Sequence, residues 1–224
     1  GSSFSFAAVE VNYRMSSVHG LYDFAFAIVG DPHHAPGLIE FYKRSTYNNS
    51  KTQKLIADLE SLMPVLDHAL DFGRPVPSRK SGVDLAQFIK IQSIFAKDLD
   101  DLKFRTLGLM PMADHRKLFL TLEALQPIYQ DLIWKKNYQA LSDHKTQLEQ
   151  IAKKADLNKL FKKALKFYGA DWPKDAPFTI GLFPIPFIED FKNSSSSSSM
   201  GPVEEHGALI GAKNFNRIGD FGVI

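Results

Sequence analysis

Residues 172–187 read WPKDAPFTIGLFPIPF, and the helical pattern of the chain ends here. Prolines at positions 173, 177, 184 and 186 exclude a helix, because proline inside a helix removes a backbone hydrogen bond and clashes with the preceding turn. The apolar residues between them favour an extended strand: Phe178, Ile180, Leu182 and Ile185. Since proline cannot donate to a β-ladder, we predict that this strand lies at the edge of a sheet.

Before this stretch, apolar residues recur at steps of three and four, which is the spacing of one helix face. The clearest helix is predicted to begin after the cap residue Asp156 and to end at Gly169. Pro64 predicts a kink or the start of a second helix, and Pro127 predicts a kink. The same spacing predicts further helices over residues 18–28, 37–44, 50–70, 85–106, 118–132 and 138–151.

Strand patterns stand near both ends of the chain. Residues 4–13 alternate, and residues 207–214, GALIGAKN, indicate a closing strand. An order of strand, many helices and then strands indicates an α+β fold. We predict a predominantly helical body packed on a small, mostly antiparallel sheet formed by the N-terminal and C-terminal strands. Residues 1–169 are the predicted scaffold, and residues 170–224 are an extended region that could begin a catalytic domain.

Composition restricts the possible functions. The chain has 224 residues, of which 44% are hydrophobic, and this is enough for a sizeable core. Its net charge of +2 disfavours nucleic acid as a partner, and the absence of cysteine excludes disulfides and thiolate metal sites. No run approaches the roughly 20 apolar residues that span a bilayer, so we expect no transmembrane segment. The opening Gly-Ser-Ser resembles a trimmed N-terminus, which favours a secreted or periplasmic protein over a cytoplasmic one.

Motifs of several enzyme classes are missing: the phosphate loop, the dinucleotide fingerprint and the Gly-x-Ser-x-Gly elbow. His33 and His34 are adjacent and point in different directions on a regular backbone, so a loop is the simpler interpretation. His68 turns by about 100° from the helix face that Asp67 and Asp71 share. Neither pattern is typical of a metal site.

Three other features have a structural interpretation. His115 and His144 follow aspartates and are interpreted as polar residues at helix starts. Six serines at 194–199 indicate a loop or mobile lid. A basic surface for lipid headgroups or phosphates is conceivable around the Asp156 helix, although a solvated helix face is the simpler interpretation. The lysines of this surface are at positions 153, 154, 159, 162, 163 and 166.

Glu204, Glu205 and His206 precede the closing strand directly. A carboxylate and an imidazole at the start of a strand could contribute metal ligands, and we keep Glu205 and His206 as weak candidates. The alternative is a polar turn before the strand.

The tail of the chain resembles the segment that leads into the zinc helix of gluzincin-type metallopeptidases. In that family an edge strand pairs with extended substrate, and the next helix carries His-Glu-x-x-His. Residues 220–224, DFGVI, resemble the residues just before this motif. The residues that resemble the substrate-binding strand are Gly207, Ala208, Leu209, Ile210 and Gly211.

The resemblance implies a zinc metallopeptidase that hydrolyses peptide bonds in a peptide or protein substrate. The motif itself is absent from these residues, so the chain is expected to be an N-terminal portion, inactive as written, of a polypeptide that continues past Ile224. Zinc is then expected in the intact protein. The alternative is a noncatalytic exported domain that binds a peptide, a glycan or a partner protein.

Overall fold

The computed structural model describes residues 11–30, 36–68, 84–169, 178–184 and 206–212. A short strand is followed by a series of helices and two further strands. A π-helical turn, Gln130–Trp134, joins two of the helices without a break. The elements are β1 (Val11–Met15), α1 (Ser17–Val29), α2 (Pro36–Lys43), α3 (Ser50–Leu66), α4 (Leu85–Phe95), α5 (Leu99–Arg105), α6 (Met112–Tyr129), α7 (Lys135–Lys154), α8 (Leu157–Tyr168), β2 (Phe178–Pro184) and β3 (His206–Ala212).

The predicted α+β class, with a helical body on a small sheet of N-terminal and C-terminal strands, is confirmed. The prediction that the sheet is mostly antiparallel is wrong, because both strand pairs are parallel. The order is β1-β2-β3. The physical reason lies in the connection: the chain passes through the helical body between β1 and β2, and such a crossover returns the second strand in the direction of the first.

The prediction that residues 178–185 form an edge strand is also wrong, because β2 lies between β1 and β3. Pro184 is the last residue of β2, and the other prolines of this stretch lie outside the strand. The interior of β2 therefore keeps every N–H group that its two ladders need, and the exclusion of proline from central strands is not violated.

Helices cover both faces of the sheet, as parallel sheets require. On one face, Leu141 and Leu148 of α7 pack with Ile180 and Leu182 of β2. The other face meets α1 and α4, where the ring of Phe183 lies 4.7 Å from the ring of His19. The sheet is thus shielded from above and below.

Arg14 ties β1 to the end of α4. Its Nη1 and Nη2 donate to the backbone carbonyls of Phe95 and Ala96 at 2.8 and 3.0 Å. The guanidinium thus satisfies carbonyls that the helix end leaves without an intrahelical partner.

The larger core cluster lies among α1, α3, α4 and α6. Phe24, Leu59, Ile89 and Leu122 are completely buried there. Pro64 does not begin a second helix, because it lies in the last turn of α3. Across the described residues, no helix combines the length and the apolar character that spanning a bilayer would require.

Several predicted helix ends are confirmed by their hydrogen bonds. Asn49 accepts a bond from the N–H of Thr52 at 3.1 Å, and Asp156 accepts one from the N–H of Lys159 at 3.3 Å. Gly169 has a φ of +60°, the left-handed conformation in which glycine ends a helix without strain.

The predicted helix over residues 85–106 is instead two helices. Ala96 adopts an extended conformation that ends α4, and the carboxylate of Asp98 accepts a bond from the N–H of Asp101 at 2.8 Å to begin α5. The helix start signal at Asp98 is therefore stronger than the apolar spacing that runs across it.

The predicted strand over residues 4–13 is described only from Val11 onward. The rest of that range lies outside the described residues, as do His33, His34, Asp71 and the serine loop.

Candidate functional site

The strand that resembles a substrate-binding strand is β3, and it stands last in the order of the sheet. It runs parallel to β2, with Gly207 opposite Thr179 and Gly211 opposite Phe183. Within the described part of the chain, no strand pairs with the other side of β3. The five predicted strand residues, 207–211, therefore belong to one strand at a sheet edge.

Such an edge carries backbone groups that can pair with another chain. In a β-strand, the N–H and C=O groups of alternate residues point to opposite sides in the plane of the sheet. Half of these groups in β3 thus point toward β2 and the other half point away from it. An edge of this kind is a template for an added strand.

Two glycines reduce the side-chain bulk along β3. Gly207 and Gly211 flank the central residues of the strand, and glycine within a strand often marks a position where another backbone or a ligand approaches closely. Helix α4 packs near β3 as well as near β2. The strand is thus supported by its neighbour in the sheet and by a helix.

The weak metal candidates are not brought into a described site. His206 is the first residue of β3 and pairs with Phe178, whereas Glu205 lies outside the described residues. Among the residues that the structure describes, no three His, Cys, Asp or Glu side chains come together in a way that could hold a metal ion. The described residues therefore do not fit a zinc site.

His115 lies in the first turn of α6, as predicted, but its side chain does not satisfy backbone donors. It is 1% exposed, and its Nε2 lies 3.2 Å from the carbonyl oxygen of Lys103 and 3.1 Å from the hydroxyl oxygen of Thr106. Because a carbonyl can only accept, Nε2 carries the proton. Burial lowers the pKa of His115 below 6.5, and the charge of Lys103 lowers it further, against the effect of the bond to the Lys103 carbonyl. The neutral side chain thus joins α6 to the C-terminal end of α5 by hydrogen bonds.

The interpretation of His144 as a helix-start residue is wrong. This residue lies in the middle of α7 and is 1% exposed. Helix α7 continues from α6 through the π-helical turn, so the sequence around Asp143 contains no helix start. Its burial reflects the packing of α7 against the sheet.

A buried polar cluster at the junction of β1 and α1 is not apparent in the sequence. Nδ1 of His19 lies 2.8 Å from the hydroxyl oxygen of Ser93, which in turn donates to the carbonyl of Lys90. Since the hydroxyl proton is directed at Lys90, the imidazole is the donor to Ser93. Both His19 and Ser93 are completely buried, so no substrate can reach them and the pair is a structural hydrogen bond.

Ser16 joins the same junction to the central strand. Its N–H donates to the carbonyl of Leu182 at 2.8 Å, and a Cβ placed on Gly181 would lie 2.8 Å from its hydroxyl oxygen. This close approach explains the glycine in β2. The one available sequence signal is Ser16-Ser17 between a strand and a helix, and it does not identify the partners.

Among the described residues, the outer edge of β3 is the candidate that remains, because no described strand pairs with it. Comparison of the chain with protein-family models, with curated proteins and with solved structures finds no significant match.

Proposed function

We propose that the chain binds an extended peptide along the outer edge of β3, and that this peptide is the substrate of a gluzincin-type zinc metallopeptidase. The observation that supports the proposal is the position of β3 at the end of the sheet order, paired on one side by β2. An extended peptide would add the next strand, and its affinity would come mainly from backbone hydrogen bonds.

The arrangement of the layers favours this mode of binding. α7 covers one face of the sheet, and α1 and α4 cover the other. Because both faces are covered, a ligand that adds to the sheet must do so in its plane, at an edge. β2 packs between these helices and pairs with β3. The strand to which a peptide would add is therefore held in place by its neighbour in the sheet.

The proposal assigns no catalytic step to the described residues. They do not bring together a set of metal ligands, so the hydrolytic chemistry that the resemblance implies needs groups outside them. The same observation favours a second candidate function, a noncatalytic exported domain that binds peptide through β3. Zinc content and peptide hydrolysis of the full-length gene product distinguish the two.

Two neighbouring proline substitutions test the binding mode. Ala208→Pro and Leu209→Pro remove N–H groups that point to opposite sides of β3. One variant loses a bond to β2 and is expected to unfold at a lower temperature. The other is expected to keep its melting temperature within a few degrees and to bind peptide about fivefold more weakly, since one backbone hydrogen bond contributes on the order of 1 kcal/mol. The probe is a fluorescein-labelled peptide Lys-Val-Thr-Val-Thr-Val-Lys, followed by fluorescence anisotropy.

Matched controls keep the N–H groups and change only the side chains. Ala208→Val and Leu209→Val are expected to bind the probe within about threefold of the unmodified protein, because backbone bonds carry most of the affinity. The proposal is contradicted if the unmodified protein does not bind the probe. It is also contradicted if both proline variants keep full affinity.

A further inference from the structure

We propose that α5 and the turn that follows it, residues 99–111, are held on α6 by the uncharged form of His115, and that acidification releases them. The released state exposes apolar side chains that α5 buries in the folded protein. This inference is separate from peptide binding, because α5 and α6 lie outside the sheet that contains β3.

His115 connects the two helices through polar contacts. Its Nε2 lies 3.2 Å from the carbonyl oxygen of Lys103 and 3.1 Å from the hydroxyl oxygen of Thr106. The Thr106 hydroxyl donates to the carbonyl of Leu102 at 2.9 Å, so it accepts the proton that Nε2 carries. One ring nitrogen of α6 thus fixes the last turn of α5 and the residue that caps it.

These contacts are buried. His115 is 1% exposed, and Thr106 is completely buried. The imidazole also packs against the ring of Phe119, with 4.7 Å between the ring centroids. A charge on this imidazole would lose most of its hydration, which costs free energy unless an opposite charge takes the place of the water.

The charges on α5 do not supply such a partner. Burial lowers the pKa of His115 below 6.5, the hydrogen bond to the Lys103 carbonyl raises it, and the positive charge of Lys103 lowers it. Asp101 is paired with Arg105, whose Nε lies 3.3 Å from its Oδ1. Asp100 is exposed in the first turn of α5, whereas His115 lies against the last turn.

The charges on α6 and α3 do not favour a cation either. Asp114 and Arg116 flank His115 with opposite charges, and each is turned by about 100° from it around the helix. Lys117 is directed at α3, where its Nζ lies 3.9 Å from Oδ1 of Asp58. The other charged or titratable groups at this end of α3 are exposed: Glu60, Asp67 and His68. The N-terminal end of a helix also disfavours a positive charge through its dipole.

Helix α1, which packs against α6 as well, carries two titratable groups with other roles. The charge of Asp23 acts on Tyr129 at the opposite end of α6. Nδ1 of His19 lies 2.8 Å from the hydroxyl oxygen of Ser93 on α4. The surroundings of His115 therefore favour the uncharged imidazole.

The direction of the pH effect follows from the lowered pKa. In the released state His115 is in water and binds a proton with an ordinary pKa of about 6.5, whereas in the held state it binds this proton at a lower pH. Below pH 6.5 the released state therefore takes up more protons. The equilibrium shifts toward release by up to about tenfold per pH unit, which is the limit for one proton.

Release would enlarge an apolar surface that already exists at this turn. Phe104 is 73% exposed, Leu107 is 48% exposed and Met112 is 65% exposed. Leu99 and Leu102 of α5 are buried in the larger core cluster, and they would join this surface when α5 leaves α6. The released state is therefore expected to bind the dye ANS, which marks exposed apolar surface.

Hydrogen exchange at the amides of residues 102–107 tests the proposal on the intact chain. After correction for the intrinsic rate of exchange, the opening equilibrium of these amides is expected to rise by about threefold to tenfold from pH 7.5 to pH 5.5. His115→Gln keeps a donor near the position of Nε2 but does not titrate, and it is expected to remove this rise. His68→Gln, at an exposed histidine, is the matched control and should keep it.

A second pair of variants leaves the imidazole in place. Lys103→Gln keeps the backbone carbonyl that His115 contacts and removes the positive charge that lowers its pKa. The titration of the His115 ring, followed by NMR, is therefore expected to move to a higher pH. Lys54→Gln makes the same change at an exposed lysine of α3 and should leave this titration unchanged.

Three outcomes overturn the proposal. In the first, the exchange of residues 102–107 does not depend on pH beyond the intrinsic rate. In the second, His115→Gln keeps the full rise, which would assign the proton to another residue. In the third, the His115 ring titrates at or above pH 6.5, or at the same pH in Lys103→Gln and Lys54→Gln. The third outcome decides the matter if His115→Gln does not fold.

Discussion

Replacing Gly20 with alanine is expected to destabilise the protein by about 2 to 3 kcal/mol, the range of strongly overpacked cores. A Cβ on Gly20 would lie 1.9 Å from the hydroxyl oxygen of Tyr129 and 2.8 Å from its Cζ. Tyr129 is 1% exposed, so its ring has no free space into which it could move. In an open helix the same substitution stabilises by about 1 kcal/mol, and the predicted sign is therefore opposite to that of helix propensity.

A double-mutant cycle with Tyr129→Phe isolates the cause. Among the described residues, the Tyr129 hydroxyl is buried without a hydrogen-bond partner, so Tyr129→Phe alone is expected to be neutral or slightly stabilising. Burial raises the pKa of Tyr129 well above 10.0, and the charge of Asp23 raises it further, so the hydroxyl is neutral at working pH.

In the cycle, Gly20→Ala/Tyr129→Phe should recover at least about 1 kcal/mol relative to Gly20→Ala, as coupled neighbours do. Urea unfolding followed by circular dichroism measures all four proteins. Equal stability of Gly20→Ala and the unmodified protein would show that the hydroxyl does not lie against α1.

Replacing Leu182 with alanine is expected to cost about 3 to 5 kcal/mol, the upper part of the range for large-to-small core substitutions. Leu182 is completely buried in β2, where it packs with Leu141 and Leu148 of α7. Because it lies in the central strand of a sheet covered on both faces, its neighbours have little freedom to collapse into the cavity. Urea unfolding provides the measurement.

Leu120→Ala is the matched control for this substitution. Leu120 is 54% exposed on α6, and the same chemical change there is expected to stay within about 0.5 kcal/mol. If the two variants lost equal stability, or if Leu182→Ala cost less than about 1 kcal/mol, the position of β2 between α7 and the other helices would be wrong.

Most helices could be predicted from the sequence because their signals are local. Apolar spacing, the caps Asn49 and Asp156 and the glycine at 169 act within a few residues of where they stand, and each is confirmed by a hydrogen bond or a backbone angle. The division between α4 and α5 was also present in the sequence, at Asp98, but the apolar spacing on both sides of it obscured this cap.

The direction and order of the strands in the sheet could not be predicted from the sequence. Strand direction and order depend on which segments meet after the chain has crossed the helical body, and no local pattern carries this information. The prolines at 177, 184 and 186 suggested an edge strand, yet they lie outside or at the last position of β2. We therefore predicted that β2 is an edge strand because of prolines that lie at its end or outside it, although β2 is the central strand.

Only part of the candidate site could be predicted, again because the sequence shows local patterns and not long-range contacts. The strand character of residues 207–211 is local and is confirmed by β3, whereas its role in binding stays a prediction. The buried pair of His19 and Ser93 joins residues 74 positions apart, and no spacing rule connects them. The two residues come together only because α1 packs against α4.

Hydrogen exchange at the amide groups of β3 tests peptide binding most directly. Without peptide, every second amide from Gly207 to Gly211 is expected to exchange slowly, because it bonds to β2, and the others are expected to exchange fast. With saturating Lys-Val-Thr-Val-Thr-Val-Lys, the fast amides should slow by about tenfold or more, as an added strand covers them. Exchange at β3 that stays unchanged while the peptide is bound would contradict the account.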